Sequence, residues 1–403
     1  MAVGLTAPEV LQPVPGIRLA ANAAGIRYAG RDDLVLIDAG PDATIAALYT
    51  TNAFRAAPVV VAAEHQARGA ARWLLINAGN ANAGTGEAGL AAARRCCDAV
   101  AGISGGTPEA VLPFSTGVIG EPLPVERIVA ALPTLHAGLA PDTWMQVGRA
   151  IMTTDTVLKG ASRRVMLSGG EVTLTGIAKG SGMIHPDMAT MLAFIGTDLA
   201  IAPPELEGLL RQANRDSFNA ITVDGDTSTN DAVVLMASGA SRAGLATTAD
   251  REAFAAALDA VCLELAQAIV RDGEGATKFV TVEVAGARTR EEAAQIAGTV
   301  ALSPLVKTAL FASDPNWGRI LAAVGRAGVP DLVIERVAIR VNDVEIVRQG
   351  GRAPDYAEAD GQRAFGADEI LIRIDLGRGD ALARKYTCDF SHEYVRINAE
   401  YRS

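Results

Sequence analysis

Residues 179–192 read Lys-Gly-Ser-Gly-Met-Ile-His-Pro-Asp-Met-Ala-Thr-Met-Leu. A glycine-flexible polar run stops at Thr190, and the next stretch, Met191-Leu-Ala-Phe-Ile-Gly, is an apolar segment of strand length that should be buried. A hydroxyl is thereby expected where a loop enters a core strand. Such a threonine becomes a nucleophile if its Oγ is activated, and freeing its own α-amine as a base is one way to do so. That route requires the Ala189–Thr190 peptide bond to break. Taken by itself, the stretch reads rather as an ordinary loop entering a strand, with Thr190 a β-branched residue at its entrance.

Immediately upstream, Val165-Met-Leu-Ser-Gly-Gly-Glu-Val-Thr-Leu reads as a hairpin turning at Ser168-Gly-Gly. Further back, Leu34–Asp38, Val59–Ala63 and Trp73–Asn77 are short apolar runs bounded by Gly, Asp or Pro, the pattern of buried strands. Asn77-Ala-Gly-Asn-Ala-Asn82 leads into a helix over roughly 86–100. It contains neither Gly-x-Gly-x-x-Gly nor a P-loop, so its residues read as turn formers tolerating positive φ. Ser115-Thr116-Gly117 reads as a turn before a helix near 126–139. Downstream, a proline-started helix is expected at Pro203, and another at 250–271 with Phe254, Leu258, Val261, Leu265 and Ile269 on one face. Strands are expected at 278–284, 334–346 and 370–376, with a capping box at Thr289–Glu292. The polar end, Arg396–Ser403, has the composition of a frayed tail.

At 403 residues with 49% hydrophobic content the chain can bury a large core, divided into two or more domains or subdomains. A formal charge of −10 without a Lys/Arg block argues against nucleic acid or an anionic membrane as partner. The four cysteines show no Cys-x-x-Cys spacing, and no run of transmembrane length or signal-like start is visible, which together read as a reducing cytoplasm. Asp224-Gly-Asp-Thr-Ser-Thr-Asn-Asp231 crowds three carboxylates but fails the calcium-loop template, because Thr229 and Leu235 stand where Gly and Glu are required. Magnesium binding stays an alternative to a structural or site-lining loop, and no metal is assigned. His185, Asp187 and Thr190 imitate a catalytic triad, yet triads are assembled from distant segments, so His185 reads as structural.

The wording of 179–192 resembles the cleavage and nucleophile motif of the ornithine acetyltransferase (glutamate N-acetyltransferase) family. The resemblance extends through Asn77–Asn82, Ser115–Gly117, Thr153-Thr-Asp155, Asp224–Asp231, Glu274-Gly-Ala-Thr-Lys278 and Ser313-Asp-Pro-Asn-Trp-Gly-Arg-Ile320, in the family's order. It implies an α/β fold of layered mixed sheets and helices, similar to the self-cleaving aminopeptidases of the N-terminal-nucleophile type. It further implies self-cleavage into an alpha chain, 1–189, and a beta chain, 190–403, intertwined in one fold and assembled as a heterotetramer of two of each.

By the same resemblance, Thr190 is the nucleophile and Thr116 with Gly117 the oxyanion hole. Thr153, Lys179, Glu274, Asn398 and Ser403 then bind substrate alongside Thr190. Acetyl would pass from N2-acetylornithine to glutamate without a cofactor. Acetyl-CoA as a second donor is left open. Two rivals remain from the residues alone: an aminopeptidase or amidohydrolase using water as acceptor, and an uncleaved amino-acid-binding protein.

Overall fold

The computed structural model describes residues 2–27, 29–69, 71–185 and 191–400. It divides into two compact units. The larger comprises 6–219 and 226–269, the smaller 1–5, 220–225 and 270–403.

In the larger unit, a four-stranded sheet runs in the order Arg18–Asn22, Leu34–Asp38, Trp73–Asn80, Val111–Val118. The last two strands are parallel. A five-stranded sheet runs Thr44–Tyr49, Ala232–Ala237, Leu192–Thr197, Gly170–Lys179, Lys159–Leu167. The two sheets share a core in which Val35, Ile37 and Phe114 of the first meet Ile177, Phe194 and Val234 of the second. Phe114 and Phe194 pack edge to face at 5.2 Å. Leu34 and Leu36, alternating with Val35 and Ile37, face the opposite way onto the helices Gly86–Ser104 and Val125–Ala137. Burial on both faces explains why these strands read as continuous apolar runs and not as alternating ones.

The helix Thr248–Arg271 covers the five-stranded sheet from outside. A Cβ at Gly176 would come within 2.9 Å of Leu265 and 3.2 Å of Val261, so glycine is what lets helix and strand approach. By length and composition this helix could cross a membrane, where no run of transmembrane length is expected from the sequence. Its expected face, Phe254 to Ile269, is fully buried in the fold.

The smaller unit is built on a six-stranded sheet in the order Gly351–Arg352, Val344–Arg348, Ala338–Val341, Glu369–Asp375, Phe279–Ala287, Ala381–Cys388. Ile296, Val300, Val324 and Phe365, on its helices, fill the core against Val282, Ile339 and Ile372. The layered α/β architecture and its mixed sheets are those expected.

Four local expectations are corrected. Val59–Ala63 lies in the helix Ala57–Gln66, whose first turn contains Pro58. A short apolar run cannot distinguish strand from helix, and here burial of Val59, Val61 and Ala62 decides. Ser115-Thr116-Gly117 is the end of a strand, not a turn. The segment 334–346 resolves into a 3-10 turn at Ile334–Arg336 and two strands of a hairpin. Through Glu400, the polar tail is ordered by the helix His392–Ala399, capped by Ser391.

Candidate active site

The parallel strands Trp73–Asn80 and Val111–Val118 end in an irregularity where Asn80 faces both Thr116 and Val118. Gly117 sits at φ 133°, and a Cβ there would lie 2.2 Å from the Gly79 carbonyl carbon and 2.5 Å from the Asn80 nitrogen. No other residue fits. Asparagines lock this corner. Asn77 Nδ2 donates to the Asn80 carbonyl at 2.8 Å, the Ser115 hydroxyl donates to Asn77 Oδ1 at 2.5 Å, and Asn230 Nδ2 donates to the carbonyls of Ala81 (2.7 Å) and Ser115 (2.9 Å). The Asn77–Asn82 motif is thus a cross-linked strand end and not merely a set of turn residues. It holds Thr116, 9% exposed, and the Gly117 backbone in one place, the preorganisation that an oxyanion hole requires.

Lys179, the last residue of its strand and 7% exposed, donates from Nζ to Thr116 Oγ1 at 3.2 Å. It also pairs in register with Leu192 of the strand that follows 190. Behind it lies Asp155. Its Oδ1 accepts from Lys159 Nζ and from the Gly180 N–H, each at 2.7 Å, and its Oδ2 from the Thr153 N–H at 3.0 Å. The Thr154 and Ser181 hydroxyls are 2.7 Å apart. Thr153-Thr-Asp155 therefore clamps the start of the 179–192 stretch. Burial alone would raise the Asp155 carboxyl, but the Lys159 and Lys179 ammonium groups and the Gly180 N–H hold it well below the usual carboxylate range.

Asp231, which the sequence places only within a structural or site-lining loop with magnesium as an alternative, is 2% exposed. Burial pushes its carboxyl well above the usual range, against hydrogen bonds from the Met191 N–H and Ser228 and the more distant charge of Lys179. Its Oδ2 has no hydrogen-bond partner among the described residues. Nothing in the local sequence distinguishes it from Asp224 or Asp226. Only its burial does.

In the smaller unit, Glu274, 8% exposed, accepts from Asn398 Nδ2 at 2.9 Å, so the structure brings together two residues that the sequence separates widely. The loop carrying Glu274 is pinned by Asp389, which accepts from the N–H groups of Thr277 and Lys278 at 2.8 and 2.9 Å, and by the Ser391 hydroxyl, which donates to the Gly275 carbonyl at 2.6 Å. Gly275, at φ 71°, leaves no room for a Cβ, which would fall 2.5 Å from the Tyr394 nitrogen. Ala189, Thr190 and Ser403 lie outside the described residues, as does Asp187. No group of three or more His, Cys, Asp or Glu side chains is placed to hold a metal among the described residues.

Comparison with known proteins adds three relatives. The arginine biosynthesis bifunctional protein ArgJ of Methylococcus capsulatus is 58% identical over 98% of this chain and 97% of its own. That of Pseudomonas syringae pv. tomato is 53% identical over the full length of both. A crystal structure of the Bacillus halodurans protein of the same description aligns at 40% identity over 51% of this chain and 96% of its own, with a TM-score of 0.48. The model of the ArgJ family matches residues 18–403. With both ends of that match enclosing the Thr116–Lys179 corner and the Glu274–Asn398 pair, the chain belongs to the ArgJ family.

Proposed function

We propose that this protein transfers the acetyl group of N2-acetylornithine to glutamate through an acetyl ester on Thr190, yielding ornithine and N-acetylglutamate in arginine biosynthesis. The observation that carries this reading is the contact of Lys179 Nζ with Thr116 Oγ1, at 3.2 Å, beside a glycine whose backbone is held open by close packing. The strand beginning at Leu192 is anchored next to that corner by its register with Lys179. Thr190 is joined to this strand through Met191 alone.

In this reading Thr190 Oγ first attacks the Ala189 carbonyl. Hydrolysis of the resulting ester leaves chains 1–189 and 190–403. Strands from both, Gly170–Lys179 and Leu192–Thr197, are hydrogen-bonded neighbours, which supports their remaining one fold after cleavage. The new α-amine, with an ordinary pKa of about 7.7–8.0, takes the Oγ proton as the hydroxyl attacks the acetyl carbonyl. Thr116 and the Gly117 N–H receive the negative charge that develops on the carbonyl oxygen. Lys179 and Thr153 hold the amino acid's polar groups, while Glu274, with Asn398 and Ser403, recognises the ornithine ammonium. Ornithine departs and glutamate collects the acetyl group, a ping-pong sequence. Two alpha and two beta chains form the assembly, in the cytoplasm. The word bifunctional in the relatives' names supports testing acetyl-CoA as a second donor.

The test is a brief incubation with acetylornithine alone, followed by intact-mass measurement. One acetyl group is expected on a fragment beginning at Thr190, removed by glutamate. Acetyl on Lys179 or a cysteine, or turnover by uncleaved protein, overturns the reading.

A further inference from the structure

Ornithine and glutamate share the α-amino acid end, whose nitrogen carries the acetyl group, and are opposite at the side chain, one ending in an ammonium and the other in a carboxylate. A single nucleophile serving both therefore needs a cationic place for the second carboxylate of the acceptor.

The larger unit contains an open cavity of about 340 Å³ lined by Arg31, Asp32, Arg149, Met152, Thr153 and Asp155. Of these, Asp155 accepts from the Gly180 N–H beside Lys179 and from the Thr153 N–H. The cavity wall thus includes a residue bonded to the backbone next to Lys179. Asp155 offers it little negative charge, since its oxygens are engaged by Lys159 and two backbone N–H groups. Asp32 receives Gln146 Nε2 at 2.9 Å. The Arg31 guanidinium donates to the Met152 carbonyl, which fixes it at the wall. Arg149, exposed in the last turn of the helix Trp144–Ala150, has no ion pair with a described residue. Two guanidinium groups against one uncompensated carboxylate leave the cavity with an excess positive charge. A guanidinium fork matches a carboxylate in two-point geometry.

We infer that this cavity is the subsite for the side-chain carboxylate of the acceptor amino acid, with Arg149 and Arg31 as its cationic ligands. The inference rests on the acetyl-transfer reading above. It makes an acidic acceptor, and not water or a neutral amino acid, the partner that discharges the acetyl-enzyme.

The experiment compares Arg149→Gln, Arg31→Gln and Arg149→Lys with the wild type in both half-reactions, using acetylornithine as donor and either glutamate or glutamine as acceptor. In each Gln variant KM for glutamate should rise at least tenfold, and at least tenfold more than KM for acetylornithine. The preference for glutamate over glutamine should fall by a similar factor, and Arg149→Lys should recover part of the loss. Equal rises for both substrates would make the cavity a site for the α-carboxylate that they share, and overturn the assignment. An unchanged glutamate KM in Arg149→Gln would overturn it too, as would a loss in both Gln variants without change in the glutamate-to-glutamine ratio. Acetylation of wild-type Thr190 by acetylornithine involves neither arginine's proposed role, so its failure would sink the parent reading separately.

Discussion

Asp155 and Asp231 are both buried in the larger unit, and both feel the charge of Lys179. At Asp155 both oxygens have donors within 3.0 Å, one of them the buried ammonium of Lys159. At Asp231 one oxygen has no partner among the described residues, and the opposing cation is the more distant Lys179. Burial pushes both carboxyls toward the protonated form. Only at Asp155 is the push outweighed. Enclosure alone therefore does not say whether a carboxyl is charged; the donors enclosed with it do.

The largest effect should come from Asp155→Asn, which strands the Lys159 ammonium in the core. Breaking a buried pair from one side costs about 3–5 kcal/mol. The urea midpoint, measured in a Thr190→Ala background to keep one chain, should fall accordingly, and an unchanged midpoint would mean that Lys159 finds another partner.

Next in size is Thr116→Ala, which removes the hydroxyl between Lys179 and the proposed oxyanion. If that hydroxyl is a main donor, kcat should fall by roughly 10²–10³, with little change in KM. A purely KM effect would turn Thr116 into a substrate contact.

The two carboxyls should also respond oppositely to pH. Asp155 has a lowered folded pKa, so its stabilisation is present above the ordinary value of 3.8 and is lost as pH falls toward the folded value. The deficit of Asp155→Asn should shrink in acid. Asp231 has a raised folded pKa, so its contribution is full below 3.8 and is lost as pH rises through the folded value. Asp231→Asn should gain on the wild type as pH rises. Denaturation midpoints at several pH values decide, and parallel curves for the two variants would erase the contrast.

Smallest should be the neutral-pH stability change of Asp231→Asn, within about 1 kcal/mol, because an amide replaces a group already short of one partner. A loss as large as that of Asp155→Asn would show the carboxyl to be fully bonded. Lost activity with retained stability would place Asp231 in the chemistry.

Much of the fold was legible because it depends on periodicity along the chain. The hairpin turning between Leu167 and Gly170, the buried face of Thr248–Arg271 and the Thr289 cap on Glu292 each follow from residues close in sequence. The 179–192 motif was legible too, as wording, and led to Thr116, Gly117 and Lys179. Their mutual geometry was not, since Lys179 and Thr116 meet only because strands of two different sheets end at the same corner.

What the sequence by itself determined was local: the alternation that makes strands, the spacing that gives a helix one apolar face, and the glycines that mark tight places. Tertiary structure decided the rest. It turned Val59–Ala63 into helix, because the run is buried on one side of a segment already started by Pro58. It made a strand end of Thr116–Gly117, and a helix of the polar segment reaching Asn398. It also separated Asp155 from Asp231, two aspartates that look alike in sequence. A carboxyl's charge is set by groups within a few ångströms, and those groups come from segments that only folding brings near.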